Sequence, residues 1–163
     1  MRCLISARHD SFDDIVFVCI GTDRATGDAL GPLVGHMLAK NSGATVYGNL
    51  QEPIHAGNVS QNMEEIGRRH KNALIIVIDA SLGSSDKIGK LIVKEGGLAP
   101  AMAIGGALPK VGHIAIAGIV NVSAGASGLC PLAVLSSTRL GTVMHMAEVI
   151  AAGIIDFIGR NMV

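Results

Sequence analysis

Two aspartates that follow predicted buried strands are the residues of this sequence best suited to chemistry. Asp28 follows the apolar run of residues 15–20 by a short turn, and Asp79 comes directly after the apolar run of residues 73–78. Two carboxylates held close together resist ionising at the same time, so one keeps its proton near neutral pH. Such a pair could carry out acid–base hydrolysis, with one carboxylate taking a proton from water and the other protonating the substrate. The positive end of the helix that begins near Asp28 favours Asp28 as the ionised partner.

Each aspartate also has a purely structural interpretation. Asp28 could cap the helix that follows it, because Asp is favoured at helix N-caps. Asp79 could simply open a turn at the end of its strand. The catalytic hypothesis is favoured because both residues follow buried strands, and the carboxyl ends of parallel strands meet at one ligand-binding rim of the sheet.

Further polar residues are expected at the same rim and are candidates for binding a substrate. They are Thr22, Arg24, His55, Asn58, Asn121 and Ser123. Arg24 could orient a carbonyl or carboxylate group, although a solvated loop cation is an equal alternative. A metal site formed by Asp28, His55 and Asp79 is a competing hypothesis, but the spacing specifies no metal, so we assign neither metal nor cofactor.

The alternation of strands and helices predicts one α/β domain, residues 1–163, around a mainly parallel sheet. Strands are predicted at residues 15–20, 44–49, 73–78, 88–94 and 113–120, and helices from Leu30, at 59–69 with Asn58 as its cap, and at 135–162. The fourth strand is expected near an edge, while the order of the strands stays open. The Gly- and Ala-rich segments 96–106 and 123–128 are predicted to be loops.

The composition limits the possible partners. Thirteen basic residues balance thirteen acidic ones, so we expect neither nucleic acid nor an anionic membrane as a partner. Residues 112–135 lack charged side chains, but their Asn, Ser, Gly and Pro residues argue against a membrane span. A homodimer through the apolar segment 96–108 is a possible arrangement.

The cysteines and the N-terminus indicate a cytoplasmic location. The three cysteines, Cys3, Cys19 and Cys130, form no CxxC pair, which fits a reducing cytosol. Acidic residues interrupt the N-terminal region before any apolar run reaches the length of a signal peptide, so we expect no export.

Five ordered segments resemble the YyaC-like sporulation protein family (DUF1256). They are CIGTDRATGDALGPLVG at 19–35, EPIHAGN at 52–58, VIDASLG at 77–83, GIVNVSAG at 118–125 and STRLGTVMHMA at 137–147. More distantly, GDALGP with Asp28 and IDAS with Asp79 resemble the two aspartate motifs of germination protease. This resemblance implies a three-layer α/β/α sandwich, shared with hydrogenase maturation proteases, and implies that both aspartates are catalytic.

The resemblance and the placement of the two aspartates together give two functional hypotheses. The first is an aspartate-dependent peptidase of sporulation or germination that hydrolyses a protein or peptide substrate. The second is a non-catalytic sporulation protein that retains the cleft and uses it to bind a peptide or a partner. Hydrogenase maturation enzymes bind nickel through acidic and His side chains, but no His of this sequence can be matched to theirs, so no metal is carried over.

Overall fold

The computed structural model describes residues 12–99, 110–123 and 128–161. These residues form five strands and four helices. In chain order they are β1 (Asp14–Cys19), α1 (Leu30–Asn41), β2 (Thr45–Tyr47), α2 (Val59–Arg69), β3 (Ala73–Gly83), β4 (Leu91–Glu95), β5 (Ile114–Val122), α3 (Pro131–Ser136) and α4 (Leu140–Asn161). Short 3-10 turns lie at Thr26–Ala29 and Ser85–Lys87.

The strands form one mixed sheet in the order β2-β1-β3-β5-β4. Strands β2, β1, β3 and β5 are parallel, and β4 runs antiparallel to β5. The central strands consist of long apolar runs because both of their faces are buried. The fourth strand lies at an edge, as predicted, and its Ile92 is 44% exposed.

Helices cover both faces of the sheet. Helices α1 and α4 pack on one face, where the core includes Phe17, Leu30 and Val143. Helix α2 covers the other face, where Ile66 packs with Val18. The three-layer α/β/α sandwich implied by the resemblance is therefore confirmed.

The structure corrects several predicted boundaries. β3 continues through Asp79 to Gly83, and β5 continues to Val122, because the two strands pair with each other beyond the predicted ends. The predicted fourth strand starts too early, since residues 88–90 precede β4. Most of segments 96–106 and 123–128, and of the proposed dimer contact at 96–108, lies outside the described residues.

The predicted C-terminal helix at residues 135–162 is in fact two helices. Pro131 begins α3, as expected from the preference of proline for the first turn of a helix. Helix α3 ends at Ser136, and α4 begins at Leu140. Between the two helices, the hydroxyl of Thr138 donates to the Val134 carbonyl oxygen at 3.0 Å, which closes the corner.

Helix α4 is long and apolar enough to cross a membrane by length and composition, with a mean hydropathy of 1.5 over Leu140–Arg160. In the structure its apolar stripe, including Ile150, Ile154 and Phe157, is buried against the sheet and α1. The charge-free stretch 112–135 contains β5, an interior strand of the sheet. We therefore interpret α4 as a helix of the core.

Replacing a buried residue of α4 should cost far more stability than replacing an exposed one. Phe157 is 2% exposed, so Phe157→Ala should lower the free energy of unfolding by about 3–5 kcal/mol. Val149, on the same helix, is 48% exposed, and Val149→Ala should change it by no more than about 0.5 kcal/mol. Urea unfolding measures both, with Ile150→Val as a milder core variant at about 0.5–1.5 kcal/mol. Equal losses for Phe157→Ala and Val149→Ala would contradict this packing.

Candidate active site

The site forms where β1 ends while its neighbour β3 continues. The last paired residues of these strands are Cys19 and Ile78, after which β3 pairs only with β5. The N–H of Ile20 donates to the Ile78 carbonyl oxygen at 2.8 Å, and the N–H of Gly21 donates to the Ile54 carbonyl oxygen at 2.7 Å. The chain then leaves the sheet, and the next residue of β3, Asp79, has a loop beside it instead of a strand.

Gly21 allows the loop after β1 to fold back over the end of the strand. Its φ of +139° lies in a region that residues with a side chain rarely adopt. A Cβ atom at this position would also collide with the carbonyl oxygen of Asp28. Gly21 thus lets Asp28 approach the end of β1.

Asp28 lies in the 3-10 turn and does not cap the helix. Helix α1 begins at Leu30 with Ala29 at its N-cap and has no side-chain cap. The Asp28 carboxylate instead accepts a hydrogen bond from the N–H of Thr22 through Oδ2 at 2.9 Å. Partial burial raises the pKa of Asp28, and the Thr22 hydrogen bond and the nearby His55 oppose that rise.

Asp79 lies inside β3, so the prediction that it directly ends the strand is wrong. It pairs with Ala117 of β5 and is only 7% exposed. Its Oδ1 accepts a hydrogen bond from the N–H of Ala80 at 2.7 Å. Burial raises the pKa of Asp79 well above its usual range, and the negative charge of Asp28 raises it further. Asp79 therefore keeps its proton to a higher pH than Asp28 does.

Both aspartates line one cavity of about 970 Å³. Four of the six residues predicted to bind substrate line it as well: Thr22, Arg24, His55 and Ser123. Apolar side chains from separate segments complete the described walls, among them Leu50, Pro53, Ile92, Leu98 and Leu132. The cavity thus combines a carboxylate pair with an amphipathic surface.

Asn58 lies outside the described lining of the cavity and shapes the loop that carries His55. Its side chain accepts from the N–H of His55 at 2.8 Å and donates to the Pro53 carbonyl oxygen at 3.1 Å. It occupies the N-cap position of α2, but its side chain makes no capping hydrogen bond, so the predicted cap is corrected.

Asn121, which is predicted to bind substrate, also lies outside the described lining. It lies within β5 and not after it, and its Nδ2 donates to Thr138 Oγ1 and to the Val134 carbonyl oxygen, both at 3.1 Å. Thr138, which the sequence reasoning did not single out, is almost fully buried. In the sequence, Thr138 is marked only by its place in segment 137–147, one of the five segments that carry the family resemblance.

The geometry does not support the alternative of a metal site at Asp28, His55 and Asp79. Within the part of the chain that the structure describes, no three His, Cys, Asp or Glu side chains come together as a set of metal ligands. In addition, Nδ1 of His55 accepts a hydrogen bond from the N–H of Gly57 at 3.1 Å, so this nitrogen is already engaged within its own loop.

The fold is similar to that of two solved structures. The [NiFe] hydrogenase maturation protease HycI from Thermococcus kodakarensis KOD1 superposes with a TM-score of 0.58 at 18% identity, covering 96% of this chain and 99% of HycI. The [NiFe] hydrogenase maturation protease HybD from Thermococcus kodakarensis gives a TM-score of 0.52 at 17% identity, covering 87% and 99%. These likenesses show that the chain shares the α/β fold of these two proteins.

The sequence comparisons show the family. Residues 1–153 match the family described as "Protein of unknown function (DUF1256)". "Uncharacterized protein YyaC" of Bacillus subtilis (strain 168) is 45% identical over 152 residues, which cover 91% of this chain and 72% of YyaC. The chain belongs to the DUF1256 family.

The burial of Asp79 should make the stability of the protein depend on pH. Its pKa is higher in the folded than in the unfolded chain, so the folded state binds more protons above about pH 4. The free energy of unfolding should therefore fall as pH rises towards the raised pKa, by up to about 1.4 kcal/mol per pH unit. Asp79→Asn should gain stability relative to the parent protein over this range, as urea unfolding at a series of pH values will show.

Asp86→Asn is the matched control for this measurement. Asp86 is exposed, and its pKa is lowered, first by a hydrogen bond from Ser84. The stabilising charge of Asp86 is lost only as pH falls. The difference in free energy of unfolding between Asp86→Asn and the parent should therefore stay constant above about pH 5. An equally flat difference for Asp79→Asn would contradict the burial of an acidic side chain at this position.

Proposed function

We propose that this chain is a peptidase that hydrolyses a protein or peptide substrate with Asp28 and Asp79 as an acid–base pair. The observation that carries the proposal is the placement of a buried, proton-retaining Asp79 and a hydrogen-bonded Asp28 in the same cavity. Pairs of carboxyl groups whose surroundings separate their pKa values are suited to divide acid and base roles. The protease architecture supports the same reaction class.

The two side chains have different roles in the proposed reaction. Asp28 takes a proton from water as the water oxygen bonds to the carbonyl carbon of the scissile amide. Asp79 gives its proton to the carbonyl oxygen, which forms a neutral tetrahedral diol. Asp28 then passes its proton to the amide nitrogen while the C–N bond breaks, and a diol hydroxyl returns a proton to Asp79. The products are a carboxylic acid and an amine, and the pair regains its starting protonation.

The rest of the cavity fits a peptide as the substrate. Its volume lies within the range of roughly 300–1,000 Å³ that is usual for ligand sites, which is enough for a few residues. Thr22 and Ser123 offer hydrogen-bonding groups, and Arg24 offers a cation for a carbonyl or carboxylate group. The hydrogen bond from the Thr22 N–H favours the ionised form of Asp28, as its role as the base requires.

We place this activity in the cytoplasm of a cell undergoing sporulation or germination. The resemblance to a sporulation protein family supports the developmental context. Cys19 and Cys130 are free thiols, and free thiols fit a reducing compartment.

Incubation with a peptide library and with spore protein extracts, followed by mass spectrometry, tests the proposal. The parent protein should cleave peptide bonds. Asp28→Asn and Asp79→Asn should each lower the rate by about 10²- to 10⁴-fold, because each removes one proton-transfer group. Asp86→Asn removes an exposed carboxylate that is not in the cavity wall and should leave the rate unchanged.

A parent protein that cleaves nothing across a range of pH and added divalent metals would contradict the peptidase proposal. If it nevertheless binds peptides, and if both Asn variants bind them equally well, the non-catalytic binding protein becomes the better account. Cleavage that survives in both Asn variants would instead remove the two aspartates from the reaction.

A further inference from the structure

Thr138 occupies an unusual position for a hydroxyl side chain in this protein. Among the residues that the structure describes, Asp79 and Thr138 are the buried polar side chains. The Thr138 hydroxyl donates to the Val134 carbonyl oxygen at 3.0 Å and accepts from Asn121 Nδ2 at 3.1 Å. Both bonds together fix the direction of the hydroxyl. Asn121 belongs to β5, the neighbour of β3, so this pair connects the sheet to the corner between α3 and α4.

The same corner presses against the turn that carries Asp28. A Cβ atom added to Gly27 would lie 2.8 Å from Thr138 Oγ1 and 3.0 Å from Leu135 Cδ2. Such distances are too short for a side chain at position 27. Gly27 therefore packs directly against Thr138 and Leu135, one residue before Asp28.

The turn also packs against α1, α3, α4 and β3, and its residues Ala25 and Ala29 are buried. Its extended N-cap residue, Ala25, makes no side-chain cap. The N–H of Asp28 donates to the Ala25 carbonyl oxygen at 3.0 Å, which is a bond within the loop. The N–H of Thr22 holds the carboxylate itself, and Thr22 belongs to the same loop. These hydrogen bonds of Asp28 stay within its loop, so packing from outside the loop sets its distance from β3, and Thr138 is the hydrogen-bonded polar part of that packing.

We propose that Asn121 and Thr138 are positioning residues that hold the turn of Asp28 at the correct place relative to Asp79. Asn121 orients the Thr138 hydroxyl from the sheet, and Thr138 forms the wall against which Gly27 rests. The expected effect of Thr138 on the cleavage rate rests on the proposed function, whereas its expected effect on the pKa of Asp28 does not.

The test compares three single substitutions. Thr138→Val keeps the size of the side chain but replaces the hydroxyl with a methyl group, which cannot accept from Asn121. Thr138→Ser keeps the hydroxyl and should behave as the parent does. Ser137→Ala is the matched control, because Ser137 also donates to the Val134 carbonyl oxygen, at 3.0 Å, from an exposed position.

Two readouts follow for each variant. The pKa of Asp28, measured by ¹³C NMR of its carboxyl group, should shift in Thr138→Val, because a displaced turn changes the burial that raises this pKa and the Thr22 hydrogen bond that opposes the rise. If cleavage is observed, kcat should fall by about 10- to 100-fold with KM little changed, since small misplacements of reacting groups are costly. Ser137→Ala should match the parent in both.

The pKa readout keeps this inference separate from the peptidase proposal, since it requires no activity. An Asp28 pKa that is the same in Thr138→Val as in the parent, or that shifts equally in Ser137→Ala, would overturn the inference. If Thr138→Val does not fold, Gly27→Ala gives the second route, because its Cβ pushes the turn away from the same wall. An unchanged Asp28 pKa in folded Gly27→Ala would likewise overturn it.

Discussion

The burial of one carboxyl group in the interior of a strand is the constraint on which the site depends. Asp79 is surrounded by β3, β5 and the loop after β1, and it has the Ala80 N–H as a hydrogen-bond donor. A charge in such surroundings is expensive, so the group keeps its proton. Asp28 lines the same cavity, accepts a hydrogen bond from the Thr22 N–H, and is the group that we propose as the ionised partner.

The surroundings of Asp28 and Asp79 differ because β1 ends while its neighbour β3 continues. β1 stops pairing with β3 at Ile78, and the space beyond it is filled by a loop that Gly21 folds back towards the sheet. The loop brings its own donor, the Thr22 N–H, to Asp28. The corner between α3 and α4 packs against the loop through the contact of Thr138 with Gly27. Strand, loop and helix corner each contribute one part of the difference between the two carboxyl groups.

The sequence predicts the meeting of Asp28 and Asp79 because apolar runs identify parallel strands, and the carboxyl ends of such strands share a rim. It does not predict that Asp79 lies within β3, since the following Ala-Ser-Leu-Gly has the composition of a turn. Pairing with β5 overrides that local preference, as it does for Asn121. The role of Thr138 is equally hidden, because it depends on a contact with Gly27 far away in sequence. The order of the strands in the sheet likewise depends on contacts between residues that are far apart in sequence.

The most direct test of this account is the pKa of Asp79 itself, measured by ¹³C NMR of its carboxyl group in the parent protein and in Asp28→Asn. The account predicts a pKa well above the ordinary carboxyl range in the parent protein, since burial is its main cause. It predicts a lower but still raised value in Asp28→Asn, because the negative neighbour is gone and the burial remains. An Asp79 that titrates in the ordinary range, or whose pKa ignores the loss of the Asp28 charge, would contradict the proposed pair.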